Sequence, residues 1–170
     1  MRAMLRPRLA AAPLLLLTQP AVGQQAPAPP AASAAPVPAY GPAIGLDEAQ
    51  ALAERTVAEA RKRGFRIAVA IVDPSGEMIA FLRMDDTQFG SIRIAEQKAR
   101  TSARMKGATA DFEKRVLGGR TVTLAVDEVL PIAGGVPILR DGRIIGAIGV
   151  SGGSAAQDDE VARAALAEAR

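Results

Sequence analysis

Residues 136–150 read VPILRDGRIIGAIGV, and this stretch decides the class of fold. Asp141 and Gly142 stand between two apolar runs, and an Asp-Gly pair in that position favours a tight turn between two strands. The stretch therefore predicts a β-hairpin. Gly146 and Gly149 fall within its second strand, which indicates that another element or a ligand approaches the backbone closely there.

A second hairpin is predicted upstream of the first. Residues 67–72 (IAVAIV) are rich in β-branched side chains, and residues 78–83 (MIAFLR) return after the turn sequence DPSG at 73–76. The run TVTLAV at 121–126 predicts one more strand. Because hairpins join antiparallel strands, we expect an α+β fold with a five-stranded antiparallel sheet rather than a doubly wound parallel sheet.

Helical periodicity predicts four helices packed on this sheet. Their approximate ranges are 46–63, 91–105, a short helix beginning at 109, and 157–168. The buried stripe of the second helix is expected to consist of small and aliphatic residues, Ile92, Ala95, Ala99 and Ala103. Lys98 and Arg100 of that helix are expected to point towards water.

Composition excludes several classes of function. The chain has 170 residues with no Cys and no His, so disulfides, thiolate metal sites, Cys nucleophiles and Ser-His-Asp catalysis are impossible. The net charge of +3 comes from Arg2, Arg6 and Arg8, since the remaining 18 basic residues balance 18 acidic ones. A nucleic-acid partner is not expected, because such proteins need a basic surface.

The first 23 residues have the layout of a cleavable signal peptide. A basic start is followed by an apolar run over residues 9–17 and by small residues at Ala21 and Gly23, so we expect cleavage after Gly23. A membrane anchor is the alternative, but the run is about half the ~20 residues of a span. The protein is expected to be periplasmic or secreted, with no transmembrane segment after cleavage.

Residues 24–45 (QQAPAPPAASAAPVPAYGPAIG) predict a semi-rigid Pro/Ala-rich linker. Its single tyrosine, Tyr40, has no evident role in the sequence. The folded domain is then expected to cover residues 46–170.

Several phrases of this domain resemble the GlcG/HbpS-like family in their order and wording. They are VDPSG at 72–76, AFLRMD at 80–85, GGVPI at 134–138, IGAIGVSG at 145–152 and QDDE at 157–160. The resemblance implies an α+β fold with a five-stranded antiparallel sheet, assembly into homo-oligomers, and binding of haem or a related tetrapyrrole, as reported for some members.

One departure from the family pattern affects the expected cofactor. Relatives often carry a Gly-His-Leu phrase after the hairpin turn, where this chain has Gly76-Glu77-Met78. Without any His, haem held by a His ligand of this chain is excluded. The candidates that are left as iron ligands are Met78, Met84, Met105, Tyr40, Glu77 or a Thr. Each Met is also explained as core packing.

Charged residues and glycine-rich turns supply the candidate ligand-binding residues. They are Glu77, Arg83, Lys98, Thr101, Gly134, Gly135, Ser151 and Gly152. Arginine and lysine suit a carboxylate ligand, and glycine lets backbone approach a ligand. The alternatives are a solvated charged face and glycines that only serve turns.

These observations favour an exported protein that binds a small ligand, with haem or a related tetrapyrrole implied by the resemblance. No catalytic residue is assigned, because without His and Cys few side chains can transfer protons near neutral pH. Two alternatives stay open: an enzyme or sensor for a small organic acid, and a structural accessory module that acts as an oligomer.

Overall fold

The computed structural model describes residues 36–168. The predicted signal peptide and most of the predicted linker lie outside the described residues. The elements follow the order α1 (Leu46–Lys62), β1 (Ala68–Val72), β2 (Met78–Arg83), α2 (Gly90–Arg104), α3 (Thr109–Leu117), a 3₁₀ helix (Thr121–Ala125), β3 (Gly135–Arg140), β4 (Arg143–Ser151) and α4 (Ala155–Ala167). Among residues 36–168, no helix has the length and apolar character needed to cross a membrane.

The strands form one antiparallel sheet in the order β2-β1-β4-β3. Both predicted hairpins are confirmed, and they meet in the middle of the sheet, where Ala70 of β1 is paired with Gly149 of β4. All five residues of β1 are buried. This burial on both faces explains why the strand is a continuous apolar run instead of an alternating one.

The prediction of a fifth strand at residues 121–126 is wrong. Thr121–Ala125 forms a 3₁₀ helix, and Val122 and Leu124 are 63% and 59% exposed. Its hydrogen bonds are local, for example from Thr123 N to Arg120 O at 3.3 Å. A β-branched run favours a strand because such side chains pack on a half-buried pleated surface. In the described chain this segment does not pair with any strand of the sheet.

Helices cover both faces of the sheet. Helix α2 lies on one face, where Ala95, Ala99 and Ala103 pack against the alanines of β1 and β4. Helices α1 and α4 lie on the other face, over a larger aliphatic core that includes Ile71 and Ile148. The predicted alanine stripe of α2 is therefore confirmed, and it places the backbone of α2 very close to the sheet.

The end of the predicted linker packs on the domain. Gly41 N donates to Ile144 O at 2.8 Å, and Ile44 N donates to Ile145 O at 2.8 Å. The side chain of Ile44 is buried, and the hydroxyl of Tyr40 donates to the carbonyl oxygen of Arg104 at 3.1 Å. The compact unit accordingly begins at Pro36, ahead of the boundary that composition suggested.

Candidate functional site

Lys98 is buried in an ion pair rather than exposed to water. Its side chain is 1% exposed, and Nζ donates to Asp158 Oδ2 at 2.7 Å and to Val150 O at 3.0 Å. Asp158 also accepts a hydrogen bond from Gly153 N at 2.9 Å. The expectation that Lys98 faces water is wrong because α4, 60 residues further along the chain, supplies a buried carboxylate. The pair joins α2, β4 and α4.

The predicted glycine turns are filled by protein atoms. A Cβ at Gly134 would lie 2.8 Å from Val150 O, one at Gly135 would lie 2.3 Å from Lys98 O, and one at Gly152 would lie 2.0 Å from Arg66 O. Ser151 is buried at the end of β4. Within the described chain these glycines allow close packing against neighbouring backbone and side-chain atoms, as the alternative of glycines that only serve turns implies.

Glu77 belongs to a charged surface beside α2, and the buried Thr101 of α2 is hydrogen-bonded to the segment that carries Glu128. Arg104 donates to Glu77 Oε1 at 3.1 Å and to Glu128 Oε2 at 2.7 Å. The hydroxyl of Thr101 donates to Glu128 O at 3.1 Å and accepts from Leu130 N at 2.9 Å. The hydrogen bond to Glu128 raises the pKa of Arg104 above its usual value. The surface is therefore a network of ion pairs.

A cavity of about 260 Å³ opens on this surface. Its lining is entirely polar or charged: Arg93, Glu96, Gln97, Arg100, Arg104, Asp127 and Glu128. Guanidinium and carboxylate groups are equally numerous, so the lining of the cavity carries no net charge. It can accept a small polar molecule.

The turn that carries Glu77 is organised by Asp73. Its Oδ1 accepts hydrogen bonds from Ser75 N at 2.8 Å, Ser75 Oγ at 2.6 Å and Glu77 N at 2.9 Å. Burial alone would raise the pKa of Asp73, but the hydroxyl of Ser75 and the backbone N–H groups outweigh it and lower that pKa. The carboxylate, in its charged form, thus stabilises the conformation of the loop.

The other predicted residues lie apart. The guanidinium of Arg83 is 5.7 Å from the ring centroid of Phe89, and Arg83 lines neither the charged cavity nor the cleft along β3. Met84 is buried in the core beneath α1, which matches the packing interpretation, and Met78 is partly exposed on the edge strand β2. In the described residues no group of three or more acidic side chains is arranged to hold a metal ion.

Sequence reasoning missed a second concave feature, a cleft of about 740 Å³ along the edge strand β3, which is larger than the charged cavity. Its apolar lining includes Val136, Pro137, Ile138, Leu139, Ile145 and Leu166, and small residues lie at Gly107, Ala108 and Ala167. Its charged lining consists of Glu48, Asp111, Arg140 and Arg163. Pro137 was the one available signal, because proline in a strand indicates an edge.

Two arginines give the cleft its cationic groups. Arg140 forms an ion pair with Glu48, and Arg163 Nε donates to Asp159 Oδ2 at 2.7 Å. These hydrogen bonds to carboxylates raise the pKa of each arginine, so both stay charged. A guanidinium carries five N–H donors in a planar fork. Each arginine therefore keeps donors that an anionic ligand could use.

Comparison with known proteins gives relatives over most of the domain. Protein GlcG of Escherichia coli (strain K12) is 40% identical over 93 residues, which cover 55% of this chain and 69% of GlcG. Corrinoid adenosyltransferase PduO of Salmonella typhimurium is 32% identical over 129 residues, 74% of this chain. That match spans 38% of PduO, so it concerns one part of that protein.

Solved structures agree in fold. A double mutant of HbpS from Streptomyces reticuli superposes with a TM-score of 0.69 at 32% identity, covering 81% of this chain and 98% of that one. The PduOC:heme complex superposes with a TM-score of 0.67 at 32% identity, covering 74% and 94%. The family model described as "Haem degrading protein HbpS-like" matches residues 44–167. This chain belongs to the HbpS-like family, as the resemblance in its sequence predicted.

Proposed function

We propose that the protein binds haem or a related tetrapyrrole in the cleft along β3. The observation that carries the proposal is the combination, in one cleft, of an apolar wall and two arginines, Arg140 and Arg163. A tetrapyrrole such as haem has a flat apolar ring and carboxylate side chains. Those two parts of the ligand call for an apolar surface and cationic donors respectively.

The size of the cleft supports this assignment over the other cavity. Pockets for small molecules and cofactors usually enclose about 300–1,000 Å³ and are mostly apolar. The cleft, at about 740 Å³, falls within that range, whereas the charged cavity beside α2 encloses about 260 Å³ and has no apolar lining residue. A macrocycle placed in the charged cavity would desolvate ion pairs without burying apolar surface.

The relatives support the ligand class. PduOC has been solved with heme bound, and the matching family model is described as haem degrading. The sequence identity to PduOC is 32%, and the structural match covers 74% of this chain. The bound heme is a property of that relative, and for this chain it is a reason to test tetrapyrroles first.

The residues of the cleft fit the ring and its carboxylates but not iron held by a protein nitrogen or sulfur. The chain has no His and no Cys, and the cleft is lined by no Met and no Tyr in the described residues. We therefore assign to the residues of the cleft the binding and orientation of the macrocycle.

A titration with haem, followed by absorbance, tests the proposal. We expect saturable binding with a shift of the main absorption band. Substituting Ala167, an exposed residue of the cleft, by Trp should lower the affinity at least about tenfold by filling the cleft. Ala156→Trp, on an exposed position of the same helix outside the cleft, is the matched control and should bind normally. Absence of saturable binding by the unmodified protein would refute the proposal.

A second candidate function is recognition of a small organic acid in the charged cavity. It is favoured by the arginines of α2 that line the cavity, among which Arg93 is 86% exposed on its side chain. Thermal-shift measurements with a panel of hydroxy acids would test it, because a ligand that binds the folded state raises the melting temperature by mass action. Stabilisation that Arg100→Gln abolishes would support this candidate.

Two further parts of the proposal concern location and assembly. We propose export, on the signal-like residues 1–23, and assembly into a homo-oligomer, as the family resemblance implies. Exposed apolar side chains at Leu117, Val122 and Leu124 offer surface for such contacts. Light scattering of the purified protein would test assembly, and a monomer at micromolar concentration would contradict it.

A further inference from the structure

We infer that the cleft selects its tetrapyrrole by the ring and the carboxylates and is indifferent to the metal at the centre. Metal-free porphyrin and its iron and zinc forms should bind with similar affinity. This inference rests on the proposed function and deepens it, since it specifies which chemical features of the ligand the protein recognises.

The whole chain offers few of the side chains that usually hold haem iron. Proteins usually hold haem iron through His, Cys, Met or Tyr. His and Cys are missing from all 170 residues, and the single tyrosine, Tyr40, directs its hydroxyl to the carbonyl oxygens of Ala103 and Arg104 at the end of α2. Methionine is the one soft ligand left to consider.

The methionines of the described chain do not line the cleft. Met78 lies on β2, the opposite edge of the sheet from β3. Three strand spacings separate these edges, a distance of about 14 Å. Met84 is buried in the core that α1 covers. Met105 follows α2 and is the nearest in sequence to lining residues Gly107 and Ala108, so it is the methionine that an experiment has to test.

The oxygen donors of the cleft already serve other cations. Glu48 forms an ion pair with Arg140, and Asp111 contributes to raising the pKa of Arg163. A carboxylate beside a guanidinium is a poorer ligand for a metal, because its charge is shared with the cation. Metal coordination by Glu48 would also compete with its ion pair to Arg140. The carboxylates of the cleft therefore contribute little to binding a metal at the centre of the ring.

The remaining recognition elements act on the periphery of a porphyrin. Val136, Leu139 and Leu166 offer apolar surface to the ring. Arg140 and Arg163 offer guanidinium donors to carboxylates, and charge-assisted hydrogen bonds of this kind are the stronger ones in proteins. Because these features are common to metal-free and metal-loaded porphyrins, the structure predicts equal binding of both.

Four probes test the inference on the full mature protein: protoporphyrin IX, its iron(III) and zinc complexes, and its dimethyl ester. We expect the first three to bind with dissociation constants within about threefold of one another, and the ester to bind at least about tenfold more weakly. Arg140→Gln should weaken the three free acids and leave the ester unchanged. Arg61→Gln, at an exposed position of α1 that lines neither the cleft nor the charged cavity, is the control with the same change of charge.

The outcomes separate failure of the inference from failure of the proposed function. Iron(III) protoporphyrin binding more than about thirtyfold tighter than the metal-free ring would overturn the inference, and loss of that preference in Met105→Leu would identify the ligand. An ester that binds as well as the free acid would also overturn it, since the carboxylates would then have no role. If none of the four probes binds, the proposed function itself is refuted.

Discussion

Lys98 Nζ and Asp158 Oδ2 lie 2.7 Å apart with both side chains almost fully buried, and this contact ties α2 to α4 across one end of the sheet. Removing one partner of a buried pair leaves an uncompensated charge, which costs about 3–5 kcal/mol. We expect Lys98→Met to destabilise the fold by an amount in that range, measured by urea unfolding. Arg93→Gln, at a pair exposed to solvent, should change stability by less than about 0.5 kcal/mol.

The double variant Lys98→Met with Asp158→Leu distinguishes loss of charge compensation from loss of packing. Since both charges are then absent, the double variant should be more stable than the sum of the single changes predicts. It should still fall below the unmodified protein, because Asp158 also accepts a hydrogen bond from Gly153 N. Additive single effects would show that the ion pair contributes no coupling energy.

Gly149 is expected to be intolerant of any side chain. A Cβ there would lie 2.1 Å from Ala95 O and 2.6 Å from Ala99 N, both on the backbone of α2. Gly149→Ala should therefore force α2 away from the sheet and cost at least about 3 kcal/mol. Gly90→Ala, near the start of the same helix with nothing within 4 Å, should stabilise by about 0.4–1 kcal/mol. Equal melting temperatures for both variants would contradict this account.

The pKa of Asp73 predicts a loss of stability in acid. Because its pKa in the folded state lies below the ordinary value of 3.8, the folded state binds fewer protons than the unfolded one there. The contribution of Asp73 to the free energy of unfolding is complete above the pKa of the unfolded state. It disappears as the pH falls through the pKa of the folded state. Asp73→Asn should thus flatten the decline in unfolding free energy below about pH 4. An unchanged slope in urea titrations between pH 5 and about 2 would refute it.

Export predicts a shortened chain. If residues 1–23 are a signal peptide, intact-mass measurement on the periplasmic fraction of a bacterial host should find a product that begins at Gln24. Ala21→Phe places a large side chain where the cleavage rule needs a small one, and it should accumulate uncleaved protein. A full-length 17.6 kDa chain in the cytosol would contradict export.

Much of the sheet could be predicted because its signals are local. The Asp141-Gly142 turn and the run at 67–72 indicate hairpins from neighbouring residues alone, and the structure confirms both. The prediction of a strand at 121–126 was wrong because a strand also needs a partner strand, which local signals do not indicate. Strand propensity describes side chains that suit a pleated surface, and whether a partner strand is present depends on distant parts of the chain.

The candidate site was harder to predict. Lys98 and Thr101 were singled out, but their partners Asp158 and Glu128 are 60 and 27 residues away, and nothing in a local pattern indicates such pairs. The glycine turns left two interpretations open, approach of a ligand or a tight turn, and the sequence did not indicate that Gly135 and Gly152 pack closely against α2 and the segment at Arg66. The cleft along β3 is formed by α1, α3, α4 and two strands together, so no single segment carries its signature.

By itself, the sequence determined the class of fold, the family, and the lack of His and Cys that removes the usual ligands of haem iron. These properties depend on composition and on contacts between residues close in the chain. Only the tertiary structure decided which charges are buried as pairs, which glycines are packed closely against other segments, and where a cleft opens. Those features arise from segments that fold together over long sequence separations, where burial and geometry, rather than residue type, set the outcome.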